Sequence, residues 1–221
     1  MYKSSATIYL SRHCKTAWNV EGRLQGTIDL PLAEIGIKQA IANVAVIRDL
    51  GVRRIVCSTA RRAYETARLY ADPLGLPIHN TPGLRELDHG KWEGRKTEEL
   101  LLDPHSGYAN WLSDPGCIAI PGGPGGSESV PAAQQRVAEA VRDAALSFRG
   151  ESVLIIGHKH INALLMCALL KEPLTRFGSH IIEDALPHLL APDVIEGLCS
   201  EGERDETWTS ELIPRASNRG N

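Results

Sequence analysis

Apolar and polar positions divide the chain into short blocks. Ala6-Thr7-Ile8-Tyr9-Leu10 reads as a buried strand over residues 6–11 that stops at Arg12-His13. Ile37, Ile41, Val44 and Ile47 recur at helical spacing and predict a helix over 34–50 with that apolar face, ended by Gly51. Residues 53–58 predict a second strand, and residues 59–72 a helix with Ser58 as candidate N-cap. Residues 76–81 predict a third strand, and 94–102 and 106–113 short helical segments. The Gly- and Pro-rich stretch 116–129 must be loop. An amphipathic helix follows over 130–148, with Pro131 in its first turn. Residues 152–157 are the strongest strand and run straight into a helix over about 159–171. Beyond residue 200 the chain is polar and aperiodic, which predicts a flexible tail. Strand and helix alternate without an internal repeat, so the fold expected is α/β with a largely parallel sheet.

Composition narrows the choice of partners. The chain has 221 residues, enough for one sizeable core, with 43% hydrophobic and 23% charged residues. A formal net charge of -3 and a pI of about 6.2 argue against nucleic acid as a partner. No apolar run reaches the ~18 residues that span a bilayer. The first residues lack a basic region followed by an apolar stretch, so a cytoplasmic protein without a membrane partner is expected. Five scattered cysteines, Cys14, Cys57, Cys117, Cys167 and Cys199, with no CxxC, favour free thiols over a disulfide framework or zinc site.

In open parallel sheets ligands bind beyond the carboxyl ends of the strands. There the first strand delivers Arg12-His13, the second Ser58 with Arg61 and Arg62 just behind, and the strongest strand Gly157-His158. Three strand ends bearing arginine or histidine point to an anion site. Arginine forks suit a phosphoryl group, and helix N-termini add donors. Of two facing histidines, one can attack phosphorus while the other stabilises the transferring oxygens. Arg61 and Arg62 point about 100° apart on a helix, so at most one serves the site. His158 and His160 also suggest a metal pair, but no nearby carboxylate or cysteine cluster completes it in the sequence; no metal or other cofactor is expected.

These residues carry a family resemblance. Arg12-His13-Cys14-Lys15-Thr16-Ala17-Trp18-Asn19 is similar to the Arg-His-Gly-x-Thr-x-x-Asn pattern of the histidine phosphatase superfamily, also called the phosphoglycerate mutase-like family. Gly22, Arg23, Gln25, Gly26, Asp29, Pro31, Leu32 and Gly36 continue it. Residues 57–67 resemble the helix start that selects Arg62, and residues 84–100 the segment that places an acid at Glu86. Residues 125–129 resemble the Gly-Glu-Ser element, with Arg136 where the family often has arginine, and residues 153–165 the second-histidine segment at His158.

The resemblance implies a single-domain three-layer sandwich over residues 1–199, with residues 200–221 as a tail. It implies phosphoryl transfer through a phosphohistidine at His13. Arg12, Arg62 and a protonated His158 would stabilise the transferring charge in place of Mg²⁺. Glu86 would act as general acid and then as base, which requires a carboxyl pKa raised by burial or by phosphate charge. Asn19, Gln25 and Gly26 would contact the phosphoryl group or shape the loop. Ser58 would be a helix cap, a ligand or both, and Asp88 and Glu93 structural. Two departures stand beside the nucleophile, Cys14 for glycine and Lys15 for Glu or Gln. Cys14 is either a small packing residue or, among cations, a thiol of lowered pKa open to oxidation. After His158 the resemblance fades, and residues 184–198 stand where a final strand is expected.

The leading expectation is hydrolysis of a phosphomonoester of a small metabolite, such as a sugar phosphate. A phosphoglycerate mutase and a non-catalytic phospholigand-binding protein are the alternatives. Only about forty residues separate Glu86 from the 125–129 loop, a spacing closer to the phosphatase branch of the family.

Overall fold

Each strand sorts its side chains by the two-residue period of a pleated chain. In β4 (Ser152–Gly157), Val153 and Ile155 enter one core cluster, whereas Leu154 and Ile156 enter another. A strand buried on both sides needs a layer on each face, and helices supply both. The structure, a computed structural model, describes residues 5–116, 118–122 and 128–201.

The described residues form one five-stranded sheet in the order β3-β2-β4-β1-β5. Strands β1 (Thr7–Arg12), β2 (Arg54–Ser58), β3 (Ile78–Thr81) and β4 run parallel, and the two-residue β5 (His188–Leu189) pairs antiparallel with β1. The expected parallel α/β sandwich is therefore correct, with one antiparallel edge. β5 is all that stands for the final strand sought in 184–198, and α8 (Pro192–Glu201) follows it.

Helices α2 (Glu34–Asp49) and α3 (Arg61–Leu74) cover one face, packing Ala40, Ile47, Ala63, Ala67 and Tyr70 into the cluster that holds Leu154 and Ile156. Helices α6 (Val130–Ser147), α7 (Lys159–Leu169) and α8 cover the other. Among the short elements, α1 (Ala17–Val20) follows the β1 end, while α4 (Thr97–Leu102) and α5 (Tyr108–Ser113) match the two predicted segments. No described helix is long and apolar enough to cross a membrane. The predicted tail lies outside the described residues from position 202 onward, and so does most of the 125–129 element.

The buried face of α2 keeps Ile47 and part of Val44 from the predicted apolar positions but not Ile37 or Ile41. Ile37 and Ile41 are 40% and 60% exposed, while Gly36, Ala40, Asn43 and Ile47 face inward. The reason is close approach. A Cβ on Gly36 would collide with the Lys15 carbonyl, so α2 can press against the loop after β1 only on its small side.

Candidate active site

Register sets the site. Parallel pairing places Arg12 opposite Gly157, and His13 N donates to the Gly157 carbonyl at 3.1 Å. The side chains of His13 and His158 therefore leave adjacent strand ends, with ring centroids 5.0 Å apart. Arg62 arrives from the first turn of α3 behind β2. Glu86 comes from a fourth strand end, after β3 and a short 3₁₀ turn over Pro82–Leu84. A cavity of about 490 Å³ opens on Arg12, His13, Arg62 and Glu86. A second, of about 600 Å³, shares Arg62 and Glu86 and opens on Arg85 and Arg136.

The tautomer of His13 is fixed by its partners. Nδ1 lies 2.7 Å from the Cys14 carbonyl, which can only accept, so Nδ1 carries the proton. Nε2 receives the Arg62 Nε–H at 3.3 Å, which can only donate, so Nε2 presents a lone pair. Burial, then Arg62, His158 and Arg12, holds the imidazole pKa well below 6.5. His13 is a neutral imidazole with its lone pair on Nε2.

Arg62 is 1% exposed and fully anchored. Its Nη1 and Nη2 donate to the Ile28 and Gly26 carbonyls at 3.1 and 2.8 Å. Burial lowers its pKa to about 10, which leaves it charged at neutral pH. Arg61 turns outward to Glu65 at 2.6 Å, so one arginine of the pair serves the site, as helical geometry requires.

His158 is fully buried, and neither ring nitrogen has a partner among the described residues. Burial, then Arg62, drives its pKa well below 6.5. In the free protein His158 is therefore neutral, through burial first and its cationic neighbours second; the protonated form expected of the resemblance belongs to the state with a phosphoryl group bound. Arg12 Nη1 pairs with Glu183 Oε2 at 2.7 Å, and Glu183 Oε1 lies 2.5 Å from Lys159 Nζ. That carboxylate sits between two cations at the site edge.

Glu86 rests as a carboxylate in the free protein, and burial alone does not decide its pKa. Burial pushes its carboxyl pKa up, but hydrogen bonding and charge from His160 outweigh burial and hold it well below the carboxylate range. The main-chain N–H groups of His160 and Ile161, in the first turn of α7, donate to it at 3.1 and 2.9 Å. The free protein therefore holds an ionised Glu86 rather than one of raised pKa.

The remaining predicted residues mostly shape loops. Asn19 Oδ1 accepts from Thr16 N at 3.0 Å in the cap of α1, and its residue lines the cavity. Gln25 spends both ends of its amide on Thr16 Oγ1 and the Ile28 carbonyl, at 2.8 and 3.1 Å. Gly26 has φ +54°, and a Cβ there would collide with Glu93; its carbonyl anchors Arg62. Ser58 is buried and accepts from Ala60 N at 3.2 Å. Since Ala60 holds the N-cap position of α3, Ser58 is not its N-cap. Glu93 Oε1 ties Thr27 N and His89 N, at 2.7 and 3.2 Å, and Asp88 caps Gly90 N at 2.8 Å. Both hold loop N–H groups, and Asp88 also lines the cavity of about 600 Å³.

Cys14 is packing. It is fully buried against Tyr70, 3.4 Å from its hydroxyl, and burial raises the thiol pKa. Of the two readings of Cys14 that the sequence offers, burial favours packing, because desolvation is the dominant influence on the thiol and raises its pKa.

Sequence reading missed Glu183 and His89, named Arg136 without a role, and set His160 aside. Arg136 forks Glu128 at 2.7–2.8 Å and binds the Gly83 and Arg85 carbonyls at 2.8 and 3.1 Å, clamping the turn that presents Glu86. Glu183 has no local motif. His89 and His160 face one another at 2.8 Å. Glu86, His89 and His160 bring ligand atoms within 4.8 Å of one another, so a carboxylate does stand beside His160, contrary to the sequence reading.

Comparison with known proteins gives the family. Residues 8–189 match the sequence model of the histidine phosphatase superfamily (branch 1). A Yersinia pestis protein named "Probable phosphoglycerate mutase GpmB" is 33% identical over 167 residues, 75% of each chain. The solved structure of Bacillus stearothermophilus YhfR superposes with a TM-score of 0.72 at 30% identity, over 85% of this chain and 96% of that one. Mycobacterial glucosyl-3-phosphoglycerate phosphatase in complex with VO3 superposes with a TM-score of 0.73 at 26% identity, over 85% and 98%. The chain belongs to the histidine phosphatase superfamily, and its class is that of histidine-dependent phosphatases.

Proposed function

We propose that this member of the superfamily hydrolyses phosphomonoesters of small metabolites, such as sugar phosphates, through a phosphohistidine on His13. The observation that carries the reading is the fixed tautomer of His13, neutral with an Nε2 lone pair beside Arg62. A neutral imidazole attacks phosphorus without a separate base. Attack forms the N–P bond as the ester O–P bond breaks, and charge spreads over three equatorial oxygens. Arg62 is held by two carbonyls and needs little reorganisation to meet that charge. Arg12 and His158 supply further donors from adjacent strand ends. A dianionic phosphoryl group favours proton uptake by its neighbours. Substrate binding therefore raises Glu86 and His158 from their low resting values, and Glu86 gains the proton that it gives to the leaving alkoxide. Once ionised again, Glu86 takes a proton from the water that cleaves the N–P bond.

Phosphoglycerate mutase activity is the second reading, favoured by the name of the Yersinia relative. One assay separates the two. Phosphate release from p-nitrophenyl phosphate and a panel of sugar phosphates is measured in parallel with isomerisation of 3-phosphoglycerate. Hydrolysis with little isomerisation supports the phosphatase; isomerisation without phosphate release supports the mutase; neither, with phosphoester binding retained, supports a binding protein.

A further inference from the structure

Glu86, His89 and His160 form a cluster that the phosphoryl chemistry does not fully explain. His89 and His160 are 1% and 2% exposed. His89 Nε2 and His160 Nδ1 face one another at 2.8 Å, and Glu86 Oε2 lies 3.5 Å from His160 Nδ1. The outer nitrogens, His89 Nδ1 and His160 Nε2, have no partner among the described residues. The facing nitrogens and the Glu86 carboxylate are the candidate ligand atoms, and an apolar pair would fill the space of the two imidazoles without the cost of burying them.

The rings are held in place. His160 stacks on Phe177, with centroids 5.7 Å apart, and meets Trp111 edge-on at 5.5 Å. His89 meets the same indole edge-on at 5.6 Å. Glu86 is pinned by two main-chain N–H groups of α7. The three residues also line the cavity of about 490 Å³, which provides an entry path.

Two imidazoles and one carboxylate suit zinc-class cations rather than Mg²⁺ or Ca²⁺. Zinc bonds of about 2.0–2.2 Å at tetrahedral angles separate ligand atoms by roughly 3.3–3.5 Å. The observed 2.8 and 3.5 Å lie close to that, and the Glu86–His89 separation, no more than 4.8 Å, closes with a shift of little more than about 1 Å in the carboxylate or the ring. We propose that Glu86, His89 and His160 bind one zinc-class divalent cation, and that its occupation takes Glu86 out of the reaction. Protons balance. The facing nitrogens share one N–H, and on binding that ring carries its proton on its outer nitrogen. Both imidazoles coordinate while neutral, and no proton is released. Arg12, Arg62 and Lys159 line the same cavity and oppose a further positive charge, so the expected affinity is micromolar rather than nanomolar.

Binding is tested by titrating the metal-free chain with Co²⁺ and following its visible d–d absorption, with Zn²⁺ as competitor. The expected result is a saturable 1:1 band removed by Zn²⁺. It should be at least tenfold weaker in His89→Gln, in His160→Gln and in Glu86→Gln, and unchanged in His188→Gln on the surface. Three ligand variants, each checked for native thermal unfolding, keep the test open if one does not fold. No saturable band, or undiminished binding in the folded ligand variants, overturns the site. The inhibitory consequence rests on the proposed role of Glu86 and is read separately. Hydrolysis of the best-cleaved sugar phosphate by the metal-free enzyme should fall at the Zn²⁺ concentration that displaces Co²⁺, and p-nitrophenyl phosphate hydrolysis should fall far less; an equal fall on both, or no fall on either, overturns the inhibitory consequence. A cobalt band without any metal-free hydrolysis would uphold the site and sink the phosphatase reading; hydrolysis without a band would do the reverse.

Discussion

Arg62 Nε donates to His13 Nε2 across 3.3 Å, while the Cys14 carbonyl holds the opposite ring nitrogen at 2.7 Å. Arg62 therefore both aims the lone pair and stands where charge develops once that lone pair attacks. Its remaining nitrogens are fixed on the loop carbonyls of Gly26 and Ile28. Lysine keeps a positive charge but has neither the fork nor the Nε–H. Arg62→Lys should lower kcat on p-nitrophenyl phosphate by about 10²–10³-fold, whereas Arg61→Lys, at a surface ion pair, should leave it nearly unchanged. Equal effects of the two changes would contradict this placement.

Stability should depend on pH through the buried imidazoles. His13 and His158 stay neutral in the fold, with pKa values well below 6.5, and regain ordinary values on unfolding. Below 6.5 the unfolded chain binds protons that the folded chain refuses, so stability falls with pH; above it the two states agree. Each histidine adds a slope of up to about 1.4 kcal/mol per pH unit below that point. Tm should be level above about pH 7 and fall steadily from about pH 6.5 to pH 5, less steeply in His158→Gln. A flat Tm through that window contradicts neutral burial.

Helix α2 offers a test with a reversed sign. Replacing glycine by alanine inside a helix normally stabilises by about 0.5–1 kcal/mol. At Gly36 the added Cβ meets the Lys15 carbonyl, a backbone atom of the loop that carries His13. Gly36→Ala should destabilise by about 1–3 kcal/mol, read as a lower urea midpoint at unchanged slope. A stabilised variant would show that α2 does not press on that loop.

Proton donation by Glu86 is visible in leaving-group dependence. A p-nitrophenolate departs almost without a proton, whereas a sugar alkoxide needs nearly a whole one. Glu86→Gln should slow sugar phosphates far more than p-nitrophenyl phosphate, measured where phosphorylation of His13 limits the rate. Equal losses would remove Glu86 from that role.

Much of this site is legible in the sequence because it follows from strand ends. An apolar run that stops at Arg12-His13, and another that stops at Gly157-His158, fix where those side chains emerge once the strands pair. The helix after Ser58 delivers Arg62 on the same logic. Three things were not legible. The buried side of α2 is chosen by how closely a backbone must approach, and the larger Ile37 and Ile41 are turned outward. Contacts between distant segments, such as His89 with His160 and Arg12 with Glu183, leave no local pattern. Protonation states depend on burial and on partners: desolvation keeps the resting His158 neutral and raises the Cys14 thiol, and the depth of either residue has no local signature.

The central claim is a covalent intermediate on His13, and rapid acid quench of the enzyme turning over ³²P-labelled p-nitrophenyl phosphate tests it most directly. A phosphohistidine there leaves acid-labile, base-stable label on the wild-type chain, located at Nε2 of His13 and absent from His13→Ala. Its label persists longer in Glu86→Gln, which lacks the base for its hydrolysis. Phosphate release with no protein-bound label under single-turnover conditions, or label that survives in His13→Ala, would contradict it.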